Sequence, residues 1–409
     1  MTRKKLRIGL FGFGVVGQGL YEVLEKTPAL KAQIVKICVK DRNKERAIAA
    51  SHFTFHQHEL LYNDVINVIV ELIDDAEAAF RIVKTAMENG KAVVSANKKM
   101  IAEHLDELIA LQQKYQVPFL YEAAVCAGIP VIRNLEEYYD NELIHSISGI
   151  VNGSTNYILT KMSETGTDYQ EALREAQAAG YAESDPWLDV SGRDAVNKLS
   201  ILVAHAWGRW IHPDAIVTKG IDELATSDFE IASLHDLRIR LKTFASRKDN
   251  RLITYVLPAF TSSNDPAYRV NGVFNGVEIE SSFADKHYFS GKGAGAYPTA
   301  SAVLSDISAI SYDYKYEYKK RESGQKLNLD QVFSVNVYFR FTGNVHKVKT
   351  YFDEVKTLVE REGEYILIGS IPLSKIPYLN GSVITVPDEI LDEFAASLNL
   401  SETLMPAEV

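Results

Sequence analysis

A glycine-rich turn near the amino terminus constrains the fold more than any other feature of this sequence. Gly12-Phe13-Gly14-Val15-Val16-Gly17 follows an apolar run at residues 6–11, and Leu20, Val23 and Leu24 then recur at helical spacing. Strand, tight turn and helix in this order are typical of a dinucleotide site. The first glycine permits the turn, the second lets the backbone approach a pyrophosphate, and the third allows close helix–strand packing. A turn kept only for packing is the alternative, but the strand-to-helix context favours a cofactor.

The residues after the second predicted strand bear on the choice of cofactor. That strand covers residues 34–39 and runs into Lys40, Asp41 and Arg42. An acidic residue there favours the ribose 2′-hydroxyl of NAD, whereas a basic residue can accept the 2′-phosphate of NADP. Because Lys40 and Arg42 flank the acid, we expect both to bind the cofactor and NADP to be preferred, with use of both cofactors left open. The alternative is that Arg42 only caps or solvates the loop.

Further strands and helices alternate along the first third of the chain. A buried strand is predicted at 65–72, a helix at 76–89, and another strand at 92–95, which runs into Ala96-Asn97-Lys98-Lys99. This alternation predicts an α/β fold with a parallel sheet, whose ligands collect at the carboxyl ends of the strands. Ser95 and Lys98 lie at such an end, although an exposed lysine is often only surface decoration.

Residues 180–198 form the most informative stretch of the sequence, because four carboxylates precede a helix. These are Glu183, Asp185, Asp189 and Asp194. The helical pattern begins near Ala195, so Asp194 and Lys198 lie one turn apart on one face. An exposed ion pair of this spacing contributes only about 0.3–0.5 kcal/mol. The other acids make a second interpretation better: a site that binds a substrate ammonium and uses lysine to protonate a carbonyl oxygen.

Two glycine-rich stretches are candidate walls of that site. Residues 149–156 offer backbone N–H groups suited to a carboxylate. Residues 291–299 contain Gly293 and Gly295 and run into a helical pattern, so they could approach a ligand closely or serve as a flexible linker.

Composition sets outer limits on function. The 409 residues exceed one hydrophobic core and predict two or three domains, and the net charge of −10 argues against broad nucleic-acid or anionic-membrane binding. No apolar stretch approaches the length that spans a bilayer. With only two cysteines, Cys38 and Cys126, a cytoplasmic protein is expected.

Taken together, these motifs resemble the homoserine dehydrogenase family over roughly residues 5–315, about three quarters of the chain. The resemblance implies NAD(P)-dependent interconversion of L-aspartate 4-semialdehyde and L-homoserine, in threonine, methionine and isoleucine biosynthesis. Each glycine motif alone is unspecific, but their conjunction in this order is specific. The motifs are 12–17, Ala96-Asn97-Lys98-Lys99, Glu122-Ala123-Ala124-Val125, 149–156, 180–198 and 291–306.

The resemblance also implies roles for individual residues. Lys198 matches the catalytic proton donor, and Lys98 matches a second lysine near nicotinamide and substrate. The residues expected at the substrate are Glu183, Asp194, Asp189, Tyr181, Asn152, Gly153, Ser154 and Thr155. Those expected at the cofactor are Gly12, Phe13, Gly14, Val15, Val16, Gly17, Lys40, Arg42, Ser95, Lys98, Gly180, Gly293 and Gly295.

A structural sodium ion is a further implication of the resemblance. Glu122, Val125, Ala127 and Ile129 match its ligands, largely through backbone carbonyls, and the alternative is an irregular turn stiffened by Pro130 without metal. The chain departs from the family pattern at a few positions. Asp74 and Asp75 stand where glycines are usual, Ala127 where glycine is common, and Lys292 where proline is common.

The expected architecture is a Rossmann-type nucleotide domain, an α+β catalytic and dimerisation domain and a small divergent C-terminal α+β domain. The predicted boundaries are 1–133 with 293–318 returning to it, 134–292, and 329–409. The last part, with a strand at 335–341, a helix at 345–360 and a strand at 365–369, is a candidate degenerate ACT-like module. A homodimer through the middle domain is expected. Two rival functions stay open, another amino-acid-type NAD(P) oxidoreductase and a non-catalytic nucleotide-sensing regulator.

Overall fold

The computed structural model describes residues 4–140, 143–322 and 326–400. The final stretch of the predicted C-terminal domain, 401–409, lies outside the described residues. Within the described residues the chain forms two compact units, one drawn from 4–140, 143, 200–213 and 291–322 and the other from 144–199, 214–290 and 326–400.

The strands, numbered along the chain, are β1 Leu6–Phe11, β2 Ala32–Cys38, β3 Phe53–Thr54, β4 Val68–Glu71, β5 Ala92–Ser95, β6 Phe119–Leu120, β7 Ile144–Ile150, β8 Val217–Thr218, β9 Arg238–Lys248, β10 Arg251–Thr261, β11 Phe274–Ser281, β12 Asp285–Lys292, β13 Asn328–Leu329, β14 Ser334–Phe341, β15 Glu354–Arg361, β16 Glu364–Pro372 and β17 Ser382–Thr385.

The α-helices are α1 Val15–Glu25, α2 His58–Leu61, α3 Ala76–Glu88, α4 Lys98–Tyr115, α5 Val131–Glu136, α6 Gly153–Thr165, α7 Tyr169–Ala178, α8 Trp187–Val190, α9 Arg193–Trp207, α10 Thr226–Leu234, α11 Ala296–Ile310, α12 Lys319–Glu322, α13 Val345–Lys349 and α14 Leu391–Leu400. Short 3-10 turns lie at Pro28–Leu30, Ala50–His52, Glu122–Ala124, Pro213–Ala215, Pro266–Arg269 and Leu373–Tyr378.

The first unit contains a six-stranded parallel sheet in the order β3-β2-β1-β4-β5-β6. This is the doubly wound order of dinucleotide-binding folds, so the Rossmann-type sheet predicted from the βα alternation is confirmed. The central strands β1 and β4 are almost entirely buried because helices cover a parallel sheet on both faces. Ser95 and Glu71 are the last residues of β5 and β4 and are paired in register, so they end side by side.

Helix α11 contributes to the same unit although it comes late in the chain. Gly19 of α1 faces it so closely that an added Cβ would lie 2.9 Å from the carbonyl oxygen of Ala296. The small residue therefore permits two helices to pack at short distance. Ala300, Val303 and Ile307 supply the buried face of α11.

The second unit is built on a mixed sheet that follows the path β12-β11-β7-β9-β10-β17-β14-β16-β15, with β8 and β13 paired to β10 outside this path. Long antiparallel pairing joins β9 to β10 from Arg238 to Thr261. Strand β17 pairs with β10 and also with β14, so strands from the last part of the chain continue this sheet. The predicted α+β character of this region is confirmed.

The helix predicted at 345–360 is wrong beyond its first turn. Helix α13 ends at Lys349, and β15 follows at Glu354–Arg361. In β15 the side chains of Thr357 and Val359 are buried while their neighbours are more exposed, which is the alternation of a strand. Two β-branched residues at period two, paired antiparallel to β16, favour the sheet over a continued helix.

Among the described residues, no helix combines the length and the apolar character needed to cross a bilayer.

Candidate functional site

The turn between β1 and α1 has the form that a dinucleotide requires. Gly12 has a φ of +90°, and a Cβ added there would lie 2.5 Å from the carbonyl oxygen of Leu72. A Cβ on Gly17 would lie 2.6 Å from the carbonyl oxygen of Gly12, whereas one on Gly14 would meet nothing within 4 Å. Gly12 and Gly17 are thus required by the protein itself, and the space beside Gly14 is open to a ligand at the helix N-terminus. These residues fit an NAD(P) cofactor.

The other predicted cofactor residues of the first unit differ in exposure. Phe13 is buried, with its ring edge-on to Phe53 at 5.2 Å, while Val15 is 69% exposed. Lys40 and Arg42 are exposed after β2, and the Arg42 guanidinium lies 4.7 Å from the ring centroid of Phe55. Val16 is half-buried. The side chains of Val15, Lys40 and Arg42 are therefore accessible to solvent, whereas Phe13 contributes to packing.

The loop after β2 is shaped by a third basic residue that the sequence did not single out. Arg46 donates to the carbonyl oxygen of Asp41 at 2.5 Å, and its guanidinium lies 5.1 Å from the ring centroid of Phe53. The Asp41 carboxylate accepts from the N–H of Asn43 at 2.8 Å. Arg46 could not be found from position alone because its contact is with a backbone oxygen.

Ser95 ends β5, and Lys98 begins α4 three residues later. Lys98 is the first residue of α4 and is half-buried, and Asn97 caps the helix by accepting from the N–H of Met100 at 3.0 Å. Ser95 is fully buried at the end of β5. Gly293 is buried and Gly295, with a φ of +119°, is exposed just before α11.

Asp75, one of the two acids that depart from the family pattern, has a local structural partner. Its carboxylate caps α3 by accepting from the N–H of Ala78 at 2.9 Å, which satisfies a helix N-terminal donor. Asp74 is exposed beside it. The negative charge of Asp75 is therefore offset by the start of α3.

In the second unit, α8, the start of α9 and the segment before α6 bring four of the predicted site residues together. The Lys198 ammonium donates to the carbonyl oxygen of Val151 at 2.7 Å and lies 2.7 Å from Oδ2 of Asp194. The amide nitrogen of Asn152 donates to the same Oδ2 at 2.8 Å and to Oδ1 of Asp189 at 2.7 Å. These contacts form a connected polar cluster, in which Lys198 is 6% and Asp194 2% exposed.

The side chain of Asn152 joins this cluster to a helix start. Its oxygen accepts from the N–H of Thr155 at 2.8 Å and from the Thr155 hydroxyl at 2.9 Å, so Asn152 is the N-cap of α6. Both ends of the amide are thereby oriented. Gly153 cannot be replaced without strain, because a Cβ there would lie 2.8 Å from the carbonyl oxygen of Val273.

Two further predicted substrate residues, Tyr181 and Glu183, lie on the loop between α7 and α8. Glu183 and Tyr181 are exposed, and the Tyr181 ring lies 4.9 Å from that of Tyr157. Ser154 donates to the carbonyl oxygen of Tyr181 at 2.6 Å, which ties the loop to α6. Gly180 adopts a φ of +75° where α7 ends. The Glu183 carboxylate is thus presented to solvent on a loop with defined anchors.

Val151 lies in the predicted wall at 149–156, but its contact with Lys198 was not predicted. Its carbonyl oxygen accepts a hydrogen bond from the Lys198 ammonium, yet a backbone carbonyl carries no residue signature. Only the adjacency to Asn152 could have suggested it.

The predicted sodium ligands occupy a buried, irregular loop of the first unit. Glu122, Val125, Ala127 and Ile129 are all buried, and Cys126 and Ala127 have φ values of 52° and 42°. The two left-handed residues turn the backbone sharply, and at Ala127 a glycine would be the less strained choice. Backbone carbonyl oxygens, which these buried residues can offer, are of the ligand type that a hard cation accepts.

The Glu122 carboxylate is committed to another task. It accepts from the N–H groups of Ile132 at 2.9 Å and Arg133 at 2.8 Å, which caps α5. Burial raises the pKa of Glu122 to about 7, and these N–H donors oppose the rise. The N–H of Glu122 donates to the buried Asp306, which also accepts from the Arg133 guanidinium at 2.9 Å. Any ion in this loop would therefore be held by backbone carbonyls rather than by the carboxylate.

One other group of metal-ligand type occurs in the part of the chain that the structure describes. Ligand atoms of Glu77, Glu103 and His104 lie within 4.8 Å of one another, on α3 and α4. Glu77 is exposed, and its Oε1 lies 3.6 Å from Nε2 of His104, an ordinary ion-pair contact when the imidazole is protonated.

The sequence matches two family models and is similar to proteins of known family. Residues 130–308 match the family model described as homoserine dehydrogenase, and residues 12–122 match the one described as its NAD binding domain. Homoserine dehydrogenases of Lactococcus lactis and Pseudomonas aeruginosa are each 37% identical, over 75% and 74% of this chain and 74% and 72% of their own length.

Solved structures give the same result. The crystal structure of a homoserine dehydrogenase from Thiobacillus denitrificans is 28% identical with a TM-score of 0.85, covering 94% of this chain and 99% of that one. A hyperthermophilic archaeal homoserine dehydrogenase mutant in complex with NADPH has a TM-score of 0.66 at 29% identity, over 77% of this chain and all of that one. The chain belongs to the homoserine dehydrogenase family, NAD(P)-dependent oxidoreductases that act on a CH–OH group.

Proposed function

We propose that the connected cluster of Lys198, Asp194, Asn152 and Asp189 is the proton-transfer and substrate part of this homoserine dehydrogenase. The observation that carries the assignment is the environment of the Lys198 ammonium. It is buried and held at 2.7 Å by both a carboxylate and a backbone carbonyl. Since an ammonium has three donors, these two contacts fix its direction and account for two of them. The third can address the substrate oxygen.

We assign the roles of the site residues from the hydrogen-bond partners that each of them has within the protein. Lys198 supplies a proton to the oxygen of aspartate semialdehyde during reduction and recovers it during homoserine oxidation. Asp194 and Asn152 orient Lys198, and Asp189 in turn orients Asn152. Glu183, an exposed carboxylate on the α7–α8 loop, takes the substrate ammonium together with the charge of Asp194. Tyr181 and the 152–155 backbone form the wall for the carboxylate.

The first unit holds the cofactor through residues 12–17, Lys40, Arg42, Lys98 and the glycines before α11, and Gly180 keeps the cofactor role that the resemblance implies. When bound, the reduced nicotinamide supplies the hydride that reaches the aldehyde carbon. Lys40 and Arg42, exposed after β2, favour NADP through its 2′-phosphate, and NADPH in the archaeal relative supports this choice. We propose that the domain boundaries predicted from the sequence separate the cofactor-binding part of the chain from its catalytic and C-terminal parts.

A structural sodium ion bound by the carbonyls of Glu122, Val125, Ala127 and Ile129 is part of the proposal. The proposal is supported by the buried loop in which Cys126 and Ala127 have positive φ values and in which the Glu122 carboxylate caps α5. We further propose a homodimer and a cytoplasmic location, for which the resemblance and the two buried cysteines are the support. Nucleic acid and membrane are not proposed as partners, given the net charge of −10.

The decisive experiment compares Lys198→Ala with Lys242→Ala. Lys242 is a matched control, because it also pairs with an aspartate of the second unit, Asp265, at 2.6 Å. Homoserine-dependent reduction of NADP and of NAD is measured, alongside the Kd for NADPH by fluorescence. We expect Lys198→Ala to lower kcat by about 10²–10⁴-fold with the Kd for NADPH unchanged, and Lys242→Ala to retain activity.

A Lys198→Ala enzyme with wild-type turnover would remove Lys198 from this role. NADPH binding without turnover on homoserine in the unaltered protein would favour the nucleotide-sensing regulator. Turnover only on other hydroxy acids would favour the rival oxidoreductase.

A further inference from the structure

Four residues at the carboxyl ends of β4 and β5 form a closed ring of hydrogen bonds. The Glu71 carboxylate accepts from the N–H of Ile73 at 2.7 Å and from the Ser95 hydroxyl at 2.6 Å. The Ser95 oxygen accepts from the N–H of Asn97 at 3.1 Å. The Asn97 amide nitrogen donates to the carbonyl oxygen of Ile73 at 3.0 Å, which closes the ring. The loop after β4 and the loop after β5 are therefore held in one geometry.

Glu71 and Ser95 have no surface to offer a ligand. Both are 0% exposed, so neither can touch a cofactor without a rearrangement of the loops around it. The Ser95 hydroxyl also has both its donor and one acceptor position in use within the ring. Glu71 did not stand out in the sequence, and Ser95 was expected to contact the cofactor directly. Their burial points to an indirect role.

The ring leads directly to Lys98. Asn97, its member on the α4 side, is the N-cap of α4 and accepts from the N–H of Met100 at 3.0 Å. Lys98 is the next residue and the first of the helix, so its backbone position depends on the cap. The N–H of Lys98 also donates to the carbonyl oxygen of Ala96 at 3.0 Å, and the N–H of Ala96 donates to that of Glu71 at 3.3 Å. Movement of Ser95 or Glu71 would thus be transmitted to the start of α4.

We propose that Glu71 and Ser95 are positioning residues that act through Asn97 to place Lys98 at the cofactor. The inference rests on the proposed role of Lys98 and deepens it. A buried carboxylate suits this task because hydrogen bonds to a charged or strongly polar acceptor are short and directional. Loss of one partner leaves a buried polar group unsatisfied, which forces the loops to rearrange. Because misplacement by about 1 Å can cost about 10²-fold in rate, the ring would matter for turnover without touching a reacting atom.

The test is a double-mutant cycle with Ser95→Ala and Lys98→Ala. The Kd for NADPH is measured by fluorescence, and kcat and KM for homoserine are measured with NADP. Each single variant should lower kcat/KM by roughly ten- to a hundredfold and weaken NADPH binding several-fold. If Ser95 acts through Lys98, the double variant should fall within about threefold of Lys98→Ala in both quantities. Ser95→Thr, which keeps the hydroxyl, should recover most of the loss.

Gln112→Leu is the matched control, because Gln112 is a buried polar residue at the other end of α4. It donates to the carbonyl oxygen of Tyr316 at 2.8 Å and accepts from the N–H of Phe119 at 3.0 Å. Its loss should lower stability as much as Ser95→Ala does while changing kcat/KM less than about twofold.

Additive losses in the double variant would overturn the proposal and assign Ser95 a direct contact with the cofactor. Wild-type parameters in Ser95→Ala would overturn it as well. If the unaltered protein binds NADPH but does not oxidise homoserine, the proposed function fails. In that case the double-mutant cycle can still be evaluated from the Kd for NADPH, and it still decides whether Ser95 acts through Lys98.

Discussion

At the scale of single residues, the buried side chains of Lys198, Asp194 and Glu71 each contact hydrogen-bonding neighbours. Lys198 and Asp194 follow the i,i+4 spacing read from the sequence, and their 2.7 Å contact agrees with it. That much was predictable, because helical periodicity fixes which side chains share a face. The contact of Lys198 with Val151 was not, since it depends on how β7 ends. Glu71 was missed for a similar reason: its pairing with Ser95 follows from the register of β4 and β5.

Glu71 should make stability depend on pH. Burial raises the pKa of Glu71 from 4.5 to about 7, with a smaller contribution from the Asp74 carboxylate, while Ser95 and the Ile73 N–H oppose the rise. A carboxyl whose pKa is higher in the folded state holds a proton that the unfolded chain has lost. The free energy of unfolding should therefore fall as pH rises from about 4.5 to about 7 and then lose this dependence.

Glu71→Gln, which imitates the protonated carboxyl, should make that slope shallower, while the buried Glu122, whose pKa is also raised to about 7, still contributes to it. Denaturant unfolding at several pH values between 5 and 8 is the measurement. Asp313→Asn is the control, because the Asp313 side chain is 83% exposed and its loss should leave the slope unchanged. An unaltered slope in Glu71→Gln would mean that other groups carry the dependence.

At the scale of elements, different glycines of the turn between β1 and α1 should serve folding and cofactor binding. Gly17→Ala should lower the free energy of unfolding by about 1–3 kcal/mol, because the new methyl group would lie against the carbonyl oxygen of Gly12. Gly14→Ala should leave unfolding nearly unchanged, since no protein atom lies within 4 Å and the φ of Gly14 is −80°. The same change should weaken NADPH binding by at least about tenfold, because it fills the space that a pyrophosphate needs.

Unfolding curves and NADPH titrations of these two variants, compared with the unaltered protein, test this expectation. Wild-type NADPH affinity in Gly14→Ala would show that the cofactor does not approach the turn there.

The elements predicted best were those with a strong period and clear end signals. Helix α3, predicted at 76–89, is observed at Ala76–Glu88, and β5 at 92–95 is observed at Ala92–Ser95. The segment at 345–360 failed because a short helical start at Val345 was extended across a strand. Pairing with β16 decides the conformation there, and such tertiary pairing is not visible in a local pattern.

At the scale of the whole molecule, the parallel character of the first sheet was predictable because strands alternate with helices along this part of the sequence. The mixed sheet was predictable only as α+β, since its strand order depends on partners far apart in the sequence. The cluster around Asp228 illustrates this. Its buried carboxylate accepts from Arg340 at 2.8 Å and from Ser382 at 2.8 Å, which joins α10 to β14 and β17.

The proposed homodimer is checked by light scattering on the full chain. We expect a mass of twice the 45.7 kDa chain at micromolar concentration. Exposed apolar side chains in the second unit, such as Leu234 at 78% and Phe283 at 76%, are candidates for covered surface. A mass of one chain, independent of concentration, would contradict the dimer.

The continuation of β10 by β17 has a consequence for any shortened version of this protein. Removing the chain after residue 326 would delete β17 and leave the β17-paired side of β10, around Ala259, without its neighbour. Unpaired strand edges recruit other strands, so such a fragment should be prone to associate with itself through main-chain hydrogen bonds. By covering this edge of β10, the last part of the sequence therefore also protects the sheet from aggregation.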